Sequence, residues 1–175
     1  MTAIQTLLSE LDHEARATRR LLERVPGDRL NYRPHEKSMT LGQLALHIAV
    51  VPGGVAQLSR RSPAQVPEFK HQSPQTAAEL VQALDQSLAK AHEVLGGLDD
   101  AALEETWRLV DGDRDVVVQP VGAMLRALML NHWYHHRGQL CVYLRQVGVP
   151  VPSVYGPSAD ENPFATAAPA MAAAS

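Results

Sequence analysis

Punctuation constrains this 175-residue chain more than any single motif: Pro26-Gly27, Gly96-Gly97 and Gly148 close long stretches whose apolar residues recur every three or four positions. The first stretch runs from Ile4 to about Val25 with Leu7, Leu8, Leu11, Ala15 and Leu22 on one stripe. A second helix is expected from near Thr40, through Leu41, Leu44, Ile48 and Val51, with Pro52-Gly53-Gly54 ending or kinking it. Residues 62–73 read as a connecting loop. Ser73-Pro74 then signals a third helix start, carried by Leu80, Leu84, Leu88, Ala91 and Leu95 to Gly96-Gly97. Trp107–Val110, Asp111-Gly112 and Val116–Val118 break the helical period and spell a small β-hairpin. A fourth helix follows from about Val121 to Val147. The expectation is one all-α domain over residues 1–162, a four-helix bundle with a hairpin-like insertion before its last helix. An alanine-rich tail over 163–175 carries no core pattern and is expected to be disordered.

Composition excludes several classes. A single cysteine, Cys141, permits no intrachain disulfide, zinc ribbon or CxxC redox pair. Sixteen basic against nineteen acidic residues, a formal charge of -3, argue against a nucleic-acid partner. No run of 18 apolar residues suggests a membrane span, and the first ten residues lack a signal-peptide pattern, so a cytoplasmic protein is expected. The eight histidines are the compositional oddity.

At about 100° per residue, His132 and His136 lie about 40° apart, on the stripe that carries Leu125, Leu128, Met129 and Tyr143. His135 sits about 60° to the other side and competes for the role. A core histidine bonded to a backbone carbonyl would explain any one of these, but two stacked one turn apart are costlier to satisfy without a shared partner. His47, among the apolar residues of the second helix, is the natural third member. Three imidazoles around one divalent ion leave positions open, which is the catalytic rather than the structural arrangement. Imidazole suits zinc, nickel and iron alike. Trp133, Tyr134 and His135 stand where an HExxH protease needs its glutamate, and Glu10-x-x-His13 has no second copy to build a di-iron centre, so that pair reads as solvated. Gln139 is placed either to orient a ligand or to bond a neighbouring helix, Arg137 to point outward or toward a partner, and Tyr143 either to reach the site or to pack in the core. Ala123, Ala127 and Leu130, on the face opposite His132, suggest a covered surface and a homodimer, or contact with the hairpin or the C-terminal segment.

The stretch Asn131-His-Trp-Tyr-His-His-Arg-Gly-Gln139, with Tyr143-Leu-Arg, Gly148–Gly156 and the upstream Arg33–His47, resembles the DinB-like (damage-inducible, YfiT-related) family. The resemblance covers about residues 1–162. It implies a metal-binding four-helix bundle, commonly homodimeric, whose metal triad maps onto His47, His132 and His136. It further implies a thiol S-transferase using a low-molecular-weight thiol, in detoxification or stress response; hydroxide on the same metal makes a small-molecule hydrolase the alternative. The competing expectation is a non-catalytic, metal-binding dimeric bundle.

Overall fold

The computed structural model describes residues 1–68 and 71–165. Four long helical rods form the bundle: α1 (Ala3–Leu22), α2 (Leu41–Ser59), α3 (Ala78–Leu95), and a composite rod beginning with α5 (Val121–Met124). That last rod passes through a π-helical segment (Leu125–Asn131) into α6 (His132–Gln146) without a break. The short α4 (Asp100–Glu104) precedes the hairpin. α1 and α2 open with matching capping boxes, Thr2 with Gln5 and Thr40 with Gln43, which satisfy amides that a first turn leaves free. The Asp100 carboxylate also accepts the Ala3 and Ile4 amides at 3.0 and 3.1 Å, tying α4 to the start of α1. α6 ends where Gly148, at φ 78°, turns the chain, and Val149 N–H returns to the Leu144 carbonyl.

Three expectations are corrected. α3 begins at Ala78, not at Ser73-Pro74: the Glu79 carboxylate reaches back to the Gln75 and Thr76 amides, while Pro74 packs against Gly42. Pro52 does not end α2, which continues to Ser59. The 62–73 segment is not wholly loop, since β1 (Ala64–Gln65) pairs in parallel with β2 (Thr106–Asp111). β2 pairs antiparallel with β3 (Arg114–Pro120) across a two-residue turn in which Gly112 adopts φ 60°. Trp107 buries its ring and donates to the Leu58 carbonyl at 3.3 Å, seating the sheet over the end of α2.

α2 is the described helix whose length and composition would suffice to cross a membrane. Here it is the central rod, packed on α3, α6 and the π segment with Leu44, Ala45, Ile48 and Ala49 fully buried. Proline has no amide hydrogen, so Pro52 leaves the Ile48 carbonyl without its helical donor. The Trp133 indole N–H supplies one at 2.8 Å. One residue on, the Gly53 amide donates to Ser87 Oγ at 2.8 Å, and a Cβ on Gly53 would lie 2.7 Å from the Ser87 carbonyl oxygen. α2 and α3 can approach this closely only at a residue without a side chain.

The π segment changes which residues the last rod buries. Its buried positions run Met124, Leu125, then Met129, Leu130, a five-residue step matching i→i+5 hydrogen bonding such as His132 N–H to the Ala127 carbonyl. In α6 the fully buried stripe is Trp133, Leu140 and Leu144 with Arg137. Counting a uniform 100° per residue therefore misplaces part of the rod. Leu130, expected on a face covered by a second copy, the hairpin or the C-terminal segment, is fully buried within its own chain, which removes it from the sequence trace of a dimer.

Arg137 is likewise corrected: it points inward. Its guanidinium, 2% exposed, pairs with Glu14 at 2.5 Å and donates to the Glu14 carbonyl and Thr18 Oγ1 at 3.1 and 3.3 Å. It also bonds the Tyr155 hydroxyl, which strings the C-terminal segment to the α1–α6 seam. Of Glu10 and His13, read as a solvated pair, His13 is exposed and meets Arg16, whereas Glu10 is half-buried and accepts from both terminal Arg126 nitrogens and the Tyr134 hydroxyl. These tethers go undetected by face counting because α1 covers the side of α6 away from α2. Of the tail expected over 163–175, residues 166–175 lie outside the described residues.

Candidate metal centre

His47 follows from the middle of α2, one residue before Ile48, and His132 opens α6, one residue before Trp133. The Trp133–Ile48 bond therefore clamps together the two backbone stretches that carry these histidines. Their Nε2 atoms face each other at 3.2 Å. His136 stands one turn beyond His132, with ring centroids 4.4 Å from His132 and 4.6 Å from His47. One ring nitrogen from each of the three lies within 4.8 Å of the others. Two imidazole nitrogens bound to one tetrahedral ion at about 2.0–2.1 Å sit roughly 3.3 Å apart, so the His47–His132 spacing suits a shared cation. A hydrogen bond between two of the rings would leave the third unused; a cation satisfies all three.

The electrostatics favour lone pairs over protons. Burial pulls the His47 pKa down to about 4, helped by the neighbouring His136 and His132. Burial also lowers His132 and His136, partly offset at His136 by a hydrogen bond to Gln139. That bond runs from His136 Nδ1–H to Gln139 Oε1 at 2.7 Å, which leaves Nε2 as the ring nitrogen with a lone pair to offer a cation. Gln139 thus sits where a ligand-orienting residue belongs. His135 is exposed, its ring 5.0 Å from His136, and lies outside the cluster. The Tyr143 hydroxyl donates to the Met39 carbonyl at 3.3 Å, and its ring meets the edge of Tyr32. Burial raises the Cys141 thiol, the opposite of what a reactive thiolate needs.

The histidines are half-buried rather than enclosed, because they flank the buried stripe of α6 instead of occupying it. Two cavities reach them. One, about 320 Å³, is lined by His47 with Gln43, His71 and Gln72 among others. The other, about 350 Å³, lies on the hairpin side and is lined by His47 and His132. His71 went unnoticed in the sequence because it stands in a loop with no helical period; only the folded chain brings it beside His47.

A profile of the DinB family matches residues 1–166. The chain belongs to the DinB family. It is 30% identical over 166 residues to the uncharacterized protein YrdA of Bacillus subtilis (strain 168), covering 94% of this chain and 95% of that one. Over 133 residues it is 27% identical to the uncharacterized protein YjoA of the same strain, covering 75% and 82%. Among solved structures, a DinB-like protein from Bacillus cereus ATCC 10987 superposes with a TM-score of 0.69 at 25% identity, over 86% of this chain and 97% of that one. A DinB-family structure from Exiguobacterium sibiricum 255-15 gives 0.57 at 25% identity, over 85% and 94%. The YjoA structure, at 22% identity and a TM-score of 0.62 over 83% and 95%, shares the fold.

Proposed function

We propose that this DinB-family chain is a divalent-metal-dependent enzyme of small-molecule detoxification, with His47, His132 and His136 as its metal ligands. S-transfer from a low-molecular-weight thiol to an electrophile is the preferred reaction, hydrolysis of a small substrate the second. The observation that carries this reading is the convergence of three neutral imidazoles at a point open to two cavities. Zinc, nickel or iron would each suit this donor set, and the bound cation would supply Lewis acidity that holds a thiol as thiolate at neutral pH.

The chain's own residues do the rest. Gln139 holds His136 in the Nδ1–H tautomer, and the Trp133–Ile48 bond sets the separation of His47 from His132. The cavity of mixed lining, with Gln43 and Gln72 on its wall beside Leu46 and Val50, offers amide partners to the hydrophilic part of a thiol. In the transfer, a sulfur–carbon bond forms, the leaving group departs with its electron pair, and the thiol proton passes to solvent.

The test is metal analysis of untagged protein, followed by a screen of glutathione, cysteine and other small thiols against 1-chloro-2,4-dinitrobenzene. Stoichiometric metal, lost in His132→Ala, and turnover that requires both metal and thiol are expected. Full metal retention by His132→Ala removes the proposed ligand set. Absence of turnover with every thiol and with ester substrates leaves the non-catalytic bundle.

A further inference from the structure

The hairpin-side cavity is unlike its neighbour across His47. Its walls are Val51, Val55 and Leu58 of α2, Leu109 of β2, Leu128 of the π segment, and Pro67. Among the described residues no charged one lines it, and its polar side chains are the two imidazoles, His47 and His132. His47 is the residue common to both cavities, so it stands between a chamber of mixed lining, where Gln43, His71 and Gln72 sit beside Leu46 and Val50, and an apolar one. At about 350 Å³ the apolar chamber falls at the lower end of the range for small-molecule sites. Three features of the fold create it. Trp107 seats the sheet over the end of α2, which brings Leu109 of β2 into the wall. The π segment supplies Leu128, half-buried beside the rod's fully buried Met129. Gly54 adds no side chain, and a Cβ there would meet nothing within 4 Å.

We propose that this cavity binds the uncharged aryl or alkyl body of the second substrate, placing its reactive carbon at the histidines while the thiol enters from the side of mixed lining. An ammonium or carboxylate seated among the aliphatic walls, away from the two imidazoles, would lose its hydration with no partner there, whereas an apolar group gains by leaving water. The selection is for shape and lack of charge. It rests on the S-transfer reading for its chemistry but not for its binding, and the test separates the two.

The probes are toluene and benzylammonium, added to the zinc-loaded protein and followed through methyl-region ¹H–¹³C spectra and by calorimetry. Toluene is expected to shift the methyls of Val51, Val55, Leu58, Leu109 and Leu128, and to bind at least tenfold more tightly than benzylammonium. Val55→Phe should weaken toluene binding at least tenfold while leaving metal content and far-ultraviolet circular dichroism unchanged. Gly54→Leu, at a lining position where an added Cβ meets no atom within 4 Å, is the second occluding variant should Val55→Phe misfold. Equal binding of the two probes, shifts confined to other methyls, or toluene binding undiminished in a folded variant would each overturn the assignment. Toluene binding as expected without thiol-dependent turnover keeps the cavity and discards the S-transfer reading.

Discussion

The Trp133–Pro52 pairing makes a quantitative prediction. Pro52 deprives the Ile48 carbonyl of its helical donor, and the Trp133 indole donates to it instead at 2.8 Å. Trp133→Phe keeps an aromatic ring but removes that donor, leaving a buried carbonyl unpaired at about 1–3 kcal/mol, with a further cost for lost volume. Pro52→Ala restores an amide at position 52 that can donate to Ile48. In that background Trp133→Phe should lose only the volume contribution, so the two substitutions should couple by about 1–3 kcal/mol, the double variant being more stable than the singles sum to. Urea denaturation of the four metal-free proteins, followed at 222 nm, reads this directly. For a domain of this size each kcal/mol also moves Tm by about 2–4 °C. Because Trp133 and Ile48 neighbour His132 and His47, Trp133→Phe should weaken metal binding as well. A coupling below about 0.5 kcal/mol would refute the carbonyl-rescue argument, whatever the single variants do.

The remaining predictions follow from the same contacts. Glu14→Ala leaves the Arg137 guanidinium buried without its carboxylate and should cost about 3–5 kcal/mol in chemical denaturation, much more than loss of an exposed pair such as Lys90–Glu93. Gln139→Leu frees His136 Nδ1 and should weaken metal affinity about 10–100-fold by competition with a chromogenic chelator, while the fold persists. The His47 pKa is lowered in the folded state to about 4 from 6.5, so between those values the unfolded chain binds the proton first. The metal-free protein should hold its stability above pH 6.5 and lose it progressively toward pH 4; His47→Gln should flatten that slope, and an unchanged slope would contradict the assignment. Chelation of a resident metal should lower Tm, with about 2.7 kcal/mol at stake when free metal stands at a hundred times Kd, and leave the His132→Ala Tm unmoved.

The amino-acid sequence alone determined the rod count, the hairpin at Asp111-Gly112, the turn at Gly148, and the pairing of His132 with His136. Each depends on residues a few positions apart, where backbone geometry converts spacing directly into a face or a turn. His47 was legible as well, because the family pattern and the apolar stripe of α2 mark the same residue. The tertiary structure decided what depends on residues far apart in the chain. Arg137 faces inward because α1 brings Glu14 to it from 123 positions away. Pro52 sits inside an unbroken helix because a tryptophan from another rod satisfies the carbonyl it strands. The π segment shifts the buried face of the last rod by a residue, which no uniform helical count can foresee. Position along a helix is a local property, but which buried polar group finds a partner depends on the packing of the whole bundle.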